Sequence, residues 1–387
     1  MSTSAGVGLQ PEPSADAIDR ESERRLRLGT LFVGRPESGV RRYARILTDE
    51  LERRPDIAAT EVDAGLLEGR AGGLAARGRR LADSDVVHMQ WNRRGWGTDA
   101  RSIQRFVDFR RACRRPLVVT LHDVFDRRGL RRRWLEPEVI ALRVVGRSAT
   151  RVVVHSRAEV ARLDGIVPLE RVRVVPHFVE QRTLGLSPDE ARARLGVQGR
   201  RIVTLLGFVY GRKGHAILVE AVPRLPADVL VVYAGGPVHG RNDMLNLVQR
   251  RSQELGLGDR VRVTGWLDDE AFETWIAATH LAVLPFKALS ASGSLSTWIA
   301  AGKPILASDL PGFREYDERV PGALRLFSPI QPPPLARAIN DQLESGLPDQ
   351  DPLVVALRDD LTVERTAERY LAVFREALAE AGAGSRR

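Results

Sequence analysis

The 387-residue chain is 43% hydrophobic and 28% charged, a globular balance that excludes fibrous and fully disordered classes and leaves room for two cored domains. Its formal charge of +9 rests on arginine, since Lys213, Lys287 and Lys303 are the only lysines; basic clusters such as Arg110-Arg111, Arg114-Arg115 and Arg127 to Arg133 lack the interleaved aromatics of a nucleic-acid platform. The arginine use reads first as the mark of a GC-rich genome, with an anionic membrane or a nucleotide diphosphate as the functional alternative, and the single Cys113 excludes an internal disulfide or a thiolate metal cluster.

In chain order, residues 1–25 carry Pro, Ser and acidic residues where a signal peptide needs an uninterrupted apolar core, and are expected to form a disordered tail. No stretch approaches the roughly 20 apolar residues of a membrane-spanning helix. The expected setting is cytoplasmic, with membrane association only peripheral, at its inner face. Leu28 to Val33 reads as a buried strand, Gly34 to Gly39 as a tight loop, and the following segment as a helix with apolar Val40, Tyr43, Ile46, Leu47 and Leu51 at helical spacing. Gly39 lacks a Cβ, so a ligand can approach the backbone at the helix start, although a packing glycine reads the same way.

The alternation continues through strands at 84–91, 115–125, 150–156 and 171–179. His88, His122, His155 and His177 fall at the ends of these strands, where ligands of parallel sheets bind; each alone reads as structural, and together they suggest a lined cleft. A capped helix within 181–200 bridges to a second series of strands at 201–209, 229–236, 261–267, 282–285 and 303–309. The last helix is expected from about Val363 to Ala381. The pattern predicts an α/β chain with two Rossmann-like parallel-sheet domains facing a cleft: 26–180 for the acceptor, a linker region at 181–200, 201–361 for the donor, and a terminal helix over 362–387.

Two loops of the second half bear on chemistry. Gly207 to Gly214, GFVYGRKG, sets Arg212 and Lys213 between glycines after a strand; it lacks the order of a Walker loop, but a fork and a point charge there suit a diphosphate. An exposed basic turn is the bland alternative. At 282–308 a strand breaks into a Ser/Gly loop and re-emerges as a helix, so that backbone N–H groups near Gly293 are aimed at one point, which suits a phosphate. No hydrolytic triad or zinc motif is present, Asp268-Asp269 reads as a helix N-terminal charge pair, and no metal or cofactor is expected.

Taken together, PESGVRRYA, VVHMQW, VVTLHDVF, VVHSRAEVARL, VRVVPHFV, the GRKG loop, VVYAGG, VRVTGWLDDE, LPFKALSASGSLSTWIAAGKPILASDLPGFRE and the terminal helix resemble glycosyltransferase family 4, the retaining enzymes of GT-B fold. The resemblance covers nearly the whole chain after residue 26. It implies a nucleotide-diphosphate sugar as co-substrate, a terminal helix crossing back to the N-terminal domain, and catalysis by positioning and charge without a metal. Gly39 would contact the donor diphosphate, His122 would approach the transferring sugar, and Arg212 and Lys213 would stabilise the leaving group. Where the family often carries two glutamates, this chain has Leu289 and Thr297. The Ser290 to Ser294 loop stands in their neighbourhood, and the N–H groups of Gly293, Ser294 and Leu295 with serine hydroxyls such as Ser292 would cradle the distal phosphate. Gly207 and Thr297 complete the donor candidates, with Glu315 as a carboxylate for the ribose or as a mere surface charge.

Acceptor contacts are expected in the loops at 92–97 and 126–134, with His88, Trp91 and Trp96 as candidates, core packing being the first reading for Trp91. The acceptor is a polysaccharide or lipid-linked precursor, or a natural-product aglycone. The second function class is a catalytically inactive GT-B-fold protein that binds nucleotide sugars or serves as a partner subunit.

Overall fold

The structure is a computed structural model that describes residues 25–36, 38–65, 73–96, 100–122, 124, 137–237, 242–289 and 292–384. The expected tail, the 126–134 loop and the Ser290–Ala291 pair lie outside these residues, except that Arg25 is described.

Short apolar runs alternating with amphipathic segments become β/α units. The first series comprises β1 (Leu26–Val33), α1 (Gly39–Glu52), β2 (Ile57–Gly65), α2 (Gly73–Arg80), β3 (Val86–Trp91), α3 (Ala100–Ala112), β4 (Leu117–Leu121), α4 (Pro137–Ser148), β5 (Arg151–Val154), α5 (Arg157–Leu163) and β6 (Val172–Val174). These strands form a six-stranded parallel sheet in the order β2-β1-β3-β4-β5-β6. The second series comprises α6 (Pro188–Arg194), β7 (Arg201–Leu206), α7 (His215–Ala221), β8 (Val229–Ala234), α8 (Asp243–Glu254), β9 (Val261–Gly265), α9 (Asp269–Ala278), β10 (Leu281–Leu284), α10 (Gly293–Ala301), β11 (Ile305–Ser308), α11 (Pro311–Asp317), β12 (Leu324–Phe327), α12 (Pro332–Glu344), α13 (Pro352–Asp360) and α14 (Val363–Gly384). Its sheet runs β12-β11-β10-β7-β8-β9.

The central strands are covered on both faces, as parallel sheets require: every residue of β3, β4, β8 and β10 is buried. In the second sheet one core, on the side of α10 and α13, joins Leu206, Val232, Leu284, Trp298, Ile299 and Leu357, and the other face packs Leu205, Val231, Tyr233 and Val283 under α7 and α12. The edge strands β2 and β12 were not among the strands expected from sequence. IAATEVDAG carries Thr60, Glu61 and Asp63 through its centre and LRLF is interrupted by Arg325, so neither has the continuous apolar run of a central strand.

The described residues fall into two compact units. One contains residues 25–120, 137–151 and 374–384; the other contains 121–122, 124 and 152–373. This division is drawn differently from the expected boundaries at 180 and 201, because residues 152–180 are tied into the second unit. Val179 N donates to Leu361 O at 2.7 Å, and the N-terminus of α5 donates to Glu315.

Candidate functional site

In the second sheet the chain runs from β7 outward to β8 and β9 and then resumes on the opposite side of β7 with β10. The carboxyl ends of β7 and β10 therefore flank a topological switch point, the place where open parallel sheets bind ligands. The two loops singled out in the sequence follow these two strands, and the structure packs them together.

After β7 the backbone turns at Gly207, at φ 104°, and reaches a short helical turn, Gly211–Lys213, closed by Gly214 at φ 78°. The Lys213 side chain folds back beneath the turn. Its Nζ donates to Leu206 O at 3.0 Å and lies 3.4 Å from Ser294 Oγ. A Cβ at position 207 would stand 2.4 Å from Nζ, the flexible tip of the lysine, so it is the left-handed backbone that calls for glycine there. Gly214 is required as well, since a Cβ would fall 2.0 Å from Pro285 O beyond β10. Lys287 N donates to Arg212 O at 2.8 Å, which completes the join between the loops.

The two cations of the GRKG loop thus have different situations. Lys213 is buried, between the rings of Tyr210 and Phe286, and burial lowers its pKa to about 8. Arg212 and Lys287 are exposed at the rim. Burial, then the charge of Lys213, pushes neighbouring His215 down to about 3, and its Nδ1 lies 3.2 Å from Tyr210 O.

Ser292 caps α10: its Oγ accepts from Leu295 N at 3.3 Å and lies 3.2 Å from Ser294 Oγ. Leu295 N–H is therefore already engaged, which removes it from the expected trio, while Gly293 and Ser294 present the first-turn donors that no intrahelical acceptor reaches. Thr297 Oγ1 donates to Gly293 O at 2.9 Å, so its hydroxyl proton is spent on its own helix. Leu289 turns away from solvent toward Gly312 of α11, where a Cβ would meet its Cδ2 at 2.7 Å.

Glu315 is already engaged within its own unit. Its oxygens accept from Arg157 N at 2.7 Å and Ala158 N at 3.0 Å, capping α5 beside the Ser156–Glu159 capping box. A carboxylate there meets two orphan N–H groups and the positive end of the helix.

The histidines divide. His122, His155 and His177, beyond β4, β5 and β6, form a row with ring centroids 4.9 Å and 5.3 Å apart. Burial, then the neighbouring His177, lowers His155 to about 3, and its Nδ1 lies 3.0 Å from Val175 O. His88 is not at a strand end. It sits within β3, buried, 2.9 Å from Thr120 Oγ1, with burial holding it at about 3. Trp91 and Trp96 are core as well, stacked at 4.7 Å and closed by Phe106, with Trp96 Nε1 donating to Gln90 O. These three are packed rather than presented to an acceptor. Gly39 is exposed at the first position of α1, next to the β1–β3 switch point of the first sheet, and a Cβ there would meet nothing within 4 Å.

Sequence reading passed over an aromatic pair. Phe208 and Trp266, each directly after a strand-ending glycine, are 51% and 60% exposed and meet edge to face at 5.4 Å. Trp266 lies across Gly236, whose Cβ would collide with its indole at 2.5 Å. The repeated Gly-aromatic pair after a strand was the available signal. Among the described residues, the acids grouped closely enough to share an ion are Asp49, Glu52 and Glu61, of which Glu61 already pairs with Arg45.

Residues 199–345 match the family model described as Glycosyl transferases group 1. A 2-deoxystreptamine N-acetyl-D-glucosaminyltransferase of Streptomyces fradiae is 28% identical over 333 residues, 79% of this chain and 75% of that one. A D-inositol 3-phosphate glycosyltransferase of Thermobispora bispora is 27% identical over 215 residues, 51% of this chain and 50% of its own length. The chain spans about half the length of the first relatives it matches. Among solved structures, Anabaena HepE in complex with UDP superposes with a TM-score of 0.68 at 18% identity, covering 90% of this chain and 99% of that one. Sucrose-phosphate synthase of Thermosynechococcus elongatus gives 0.57 at 19% identity, covering 94% and 98%. These likenesses establish the expected fold, two parallel six-stranded sheets flanked by helices.

Proposed function

We propose that this chain, which has the GT-B fold and over residues 199–345 belongs to the glycosyl transferases group 1, moves a sugar from a nucleotide-diphosphate donor to an acceptor with retention of configuration. The observation that carries the reading is the buried Lys213 ammonium held between Leu206 O and Ser294 Oγ at the β7/β10 switch point. A lysine desolvated there without a described carboxylate partner is a cation waiting for an anion.

The distal phosphate would rest on the first turn of α10, on the N–H groups of Gly293 and Ser294 with the Ser292 and Ser294 hydroxyls. Arg212 and Lys287 at the rim would hold the diphosphate as the bond to the sugar breaks, and charge placed in advance is the main lever on such a step. These cations supply what a metal would otherwise supply, so the reading needs none. His122 would face the transferring sugar, and the Phe208–Trp266 pair offers a surface on which a nucleobase can stack. Gly39 would meet the diphosphate by its N–H.

HepE was solved with UDP, which makes uridine diphosphate sugars the first donors to try. Relatives named for 2-deoxystreptamine and D-inositol 3-phosphate favour a polyhydroxylated ring as acceptor, alongside the polysaccharide, lipid-linked and aglycone classes. The test is a panel of nucleotide sugars with released nucleoside diphosphate as readout and the anomeric configuration of the product read by NMR. Donor-dependent release that Lys213→Met lowers by about 10- to 1000-fold supports the assignment. Binding without release from any donor or acceptor would favour the inactive binding protein instead, and an inverted product would remove the retaining mechanism.

A further inference from the structure

The first unit carries a basic surface that the donor site does not use. Helices α2, α3 and α4 converge at the amino ends of β3, β4 and β5. Gly78 near the end of α2 has Phe109 O and Ala112 Cβ of α3 at 2.9 Å and 3.1 Å from the place of a Cβ, and Arg110 Nε reaches Ser148 O at the end of α4. Cys113 Sγ points to Leu81 O, and Leu117 O receives Thr150 N. Each helix ends in arginine: Arg79 and Arg80 on α2, Arg111 on α3 followed by Arg114 and Arg115, and Arg147 on α4, all exposed.

Arginine at a helix C-terminus has an ordinary use, meeting the negative end of the dipole. Here that use is already covered. Arg110 donates to Cys113 O at 2.6 Å, and Arg115 Nε donates to Ala82 O. Arg79, Arg80, Arg111 and Arg114 make no ion pair with another described residue, so they are surplus to capping. The acids nearby offset them in part: Asp85 is bound to Arg27, Glu376 and Glu380 to Arg151, and half-buried Asp108 accepts from Gln104, which leaves Asp83 exposed.

The geometry points to this face as a docking surface for an anionic lipid bilayer. The chemistry of the patch selects that partner from other polyanions. None of the large apolar side chains exposed in the described residues lies on α2, α3 or α4, so these helix ends lack the anchors of a stable protein interface. Among the described residues it has no aromatic group on which bases stack. What it offers is several guanidinium groups fixed on rigid helix ends, which suits a fluid array of phosphate headgroups and acts through summed charge within a Debye length. Docking here leaves the carboxyl ends of the first sheet, with Gly39, turned away from the lipid.

The experiment is flotation of the full chain with vesicles of phosphatidylcholine alone or with phosphatidylglycerol added, at low and high salt. Binding is expected only with the anionic lipid and to be lost at high salt. Arg111→Glu with Arg114→Glu is expected to lower partitioning by about tenfold or more. Arg337→Glu, an exposed arginine on α12 of the second unit, is expected to leave it unchanged, and unchanged melting of the double variant shows that it is folded. Absence of binding to anionic vesicles at low salt overturns the proposal. So does equal loss in the α12 variant, or salt-sensitive binding of a nucleic-acid duplex without binding to vesicles.

Discussion

Lys213 is the residue on which the proposed donor site turns, and its burial gives it a measurable signature. Desolvation sets its pKa at about 8, so near neutral pH it is charged in most molecules and above that value it is not. A diphosphate bound to the ammonium would raise that pKa, so on the proposed reading donor affinity should be full below about pH 8 and fall by up to tenfold per unit above it. Calorimetric titration of UDP across that range checks this. Lys213→Met should weaken binding by about 10- to 1000-fold and remove the alkaline limb; a wild-type affinity indifferent to pH would separate Lys213 from the donor. Glu315 is tested by the opposite pattern. Glu315→Gln keeps an acceptor oxygen but loses the charge at the start of α5, which should cost roughly 0.5–1.5 kcal/mol of stability in chemical denaturation while leaving donor affinity unchanged. The rarity of lysine made Lys213 visible in the sequence. Core packing was the first reading for Trp91, and the structure buries it; the burial of Trp96 was not visible, because an aromatic in a loop after a strand looks the same whether its neighbours cover it or not.

The elements that carry the site were legible where their signal is local. The β7 and β10 strands, the glycines of the GRKG loop and the capped start of α10 all stand in sequence order, and glycine marks the turns that need positive φ. Edge strands β2 and β12 were not legible, since charged side chains at Glu61, Asp63 and Arg325 interrupt the apolar run that betrays a central strand. The role of Glu315 was hidden for a related reason: its partners on α5 are 157 and 158 residues away in sequence. Two glycines separate packing from ligand approach at this scale. Gly214→Ala places a methyl 2.0 Å from Pro285 O in a left-handed turn and should destabilise the second unit by roughly 3 kcal/mol or more. Gly39→Ala meets nothing, and should leave melting unchanged or slightly raised. If the donor diphosphate meets its N–H, turnover should nonetheless fall; unchanged kinetics with several donors would take Gly39 out of the site.

At the scale of the whole molecule, the buried titratable groups predict how stability varies with pH. Burial holds His88, His155 and His215 at about 3 and His280 at about 4, and lowers His177 as well. Each is neutral in the folded chain while its unfolded form takes a proton below about 6.5. The unfolded state then binds more protons, so stability is full above about pH 6.5 and declines as pH falls toward about 3 to 4. Asp63, Asp228 and Asp360 are held below their usual values, by arginine partners chiefly for Asp228 and against a desolvation that works the other way in Asp63 and Asp360; their depressed values add to the acid loss. On the alkaline side Lys303, with Lys213, gives a rise. Lys303 is fully buried with Nζ donating to Ala277 O at 2.8 Å, and burial brings it from 10.5 to about 8. Between those two values the unfolded lysine is charged and the folded one is not, so stability should increase with pH across that window. Lys303→Met keeps the volume and removes the titration, leaving Ala277 O without its donor. Its melting temperature at pH 7 should change little, as relief from charge burial offsets the lost hydrogen bond, while the rise above about pH 8 should shrink to the part due to Lys213. Thermal melts of both proteins across that range measure it, and an alkaline rise of the same size in the variant would show that Lys303 is not the group responsible.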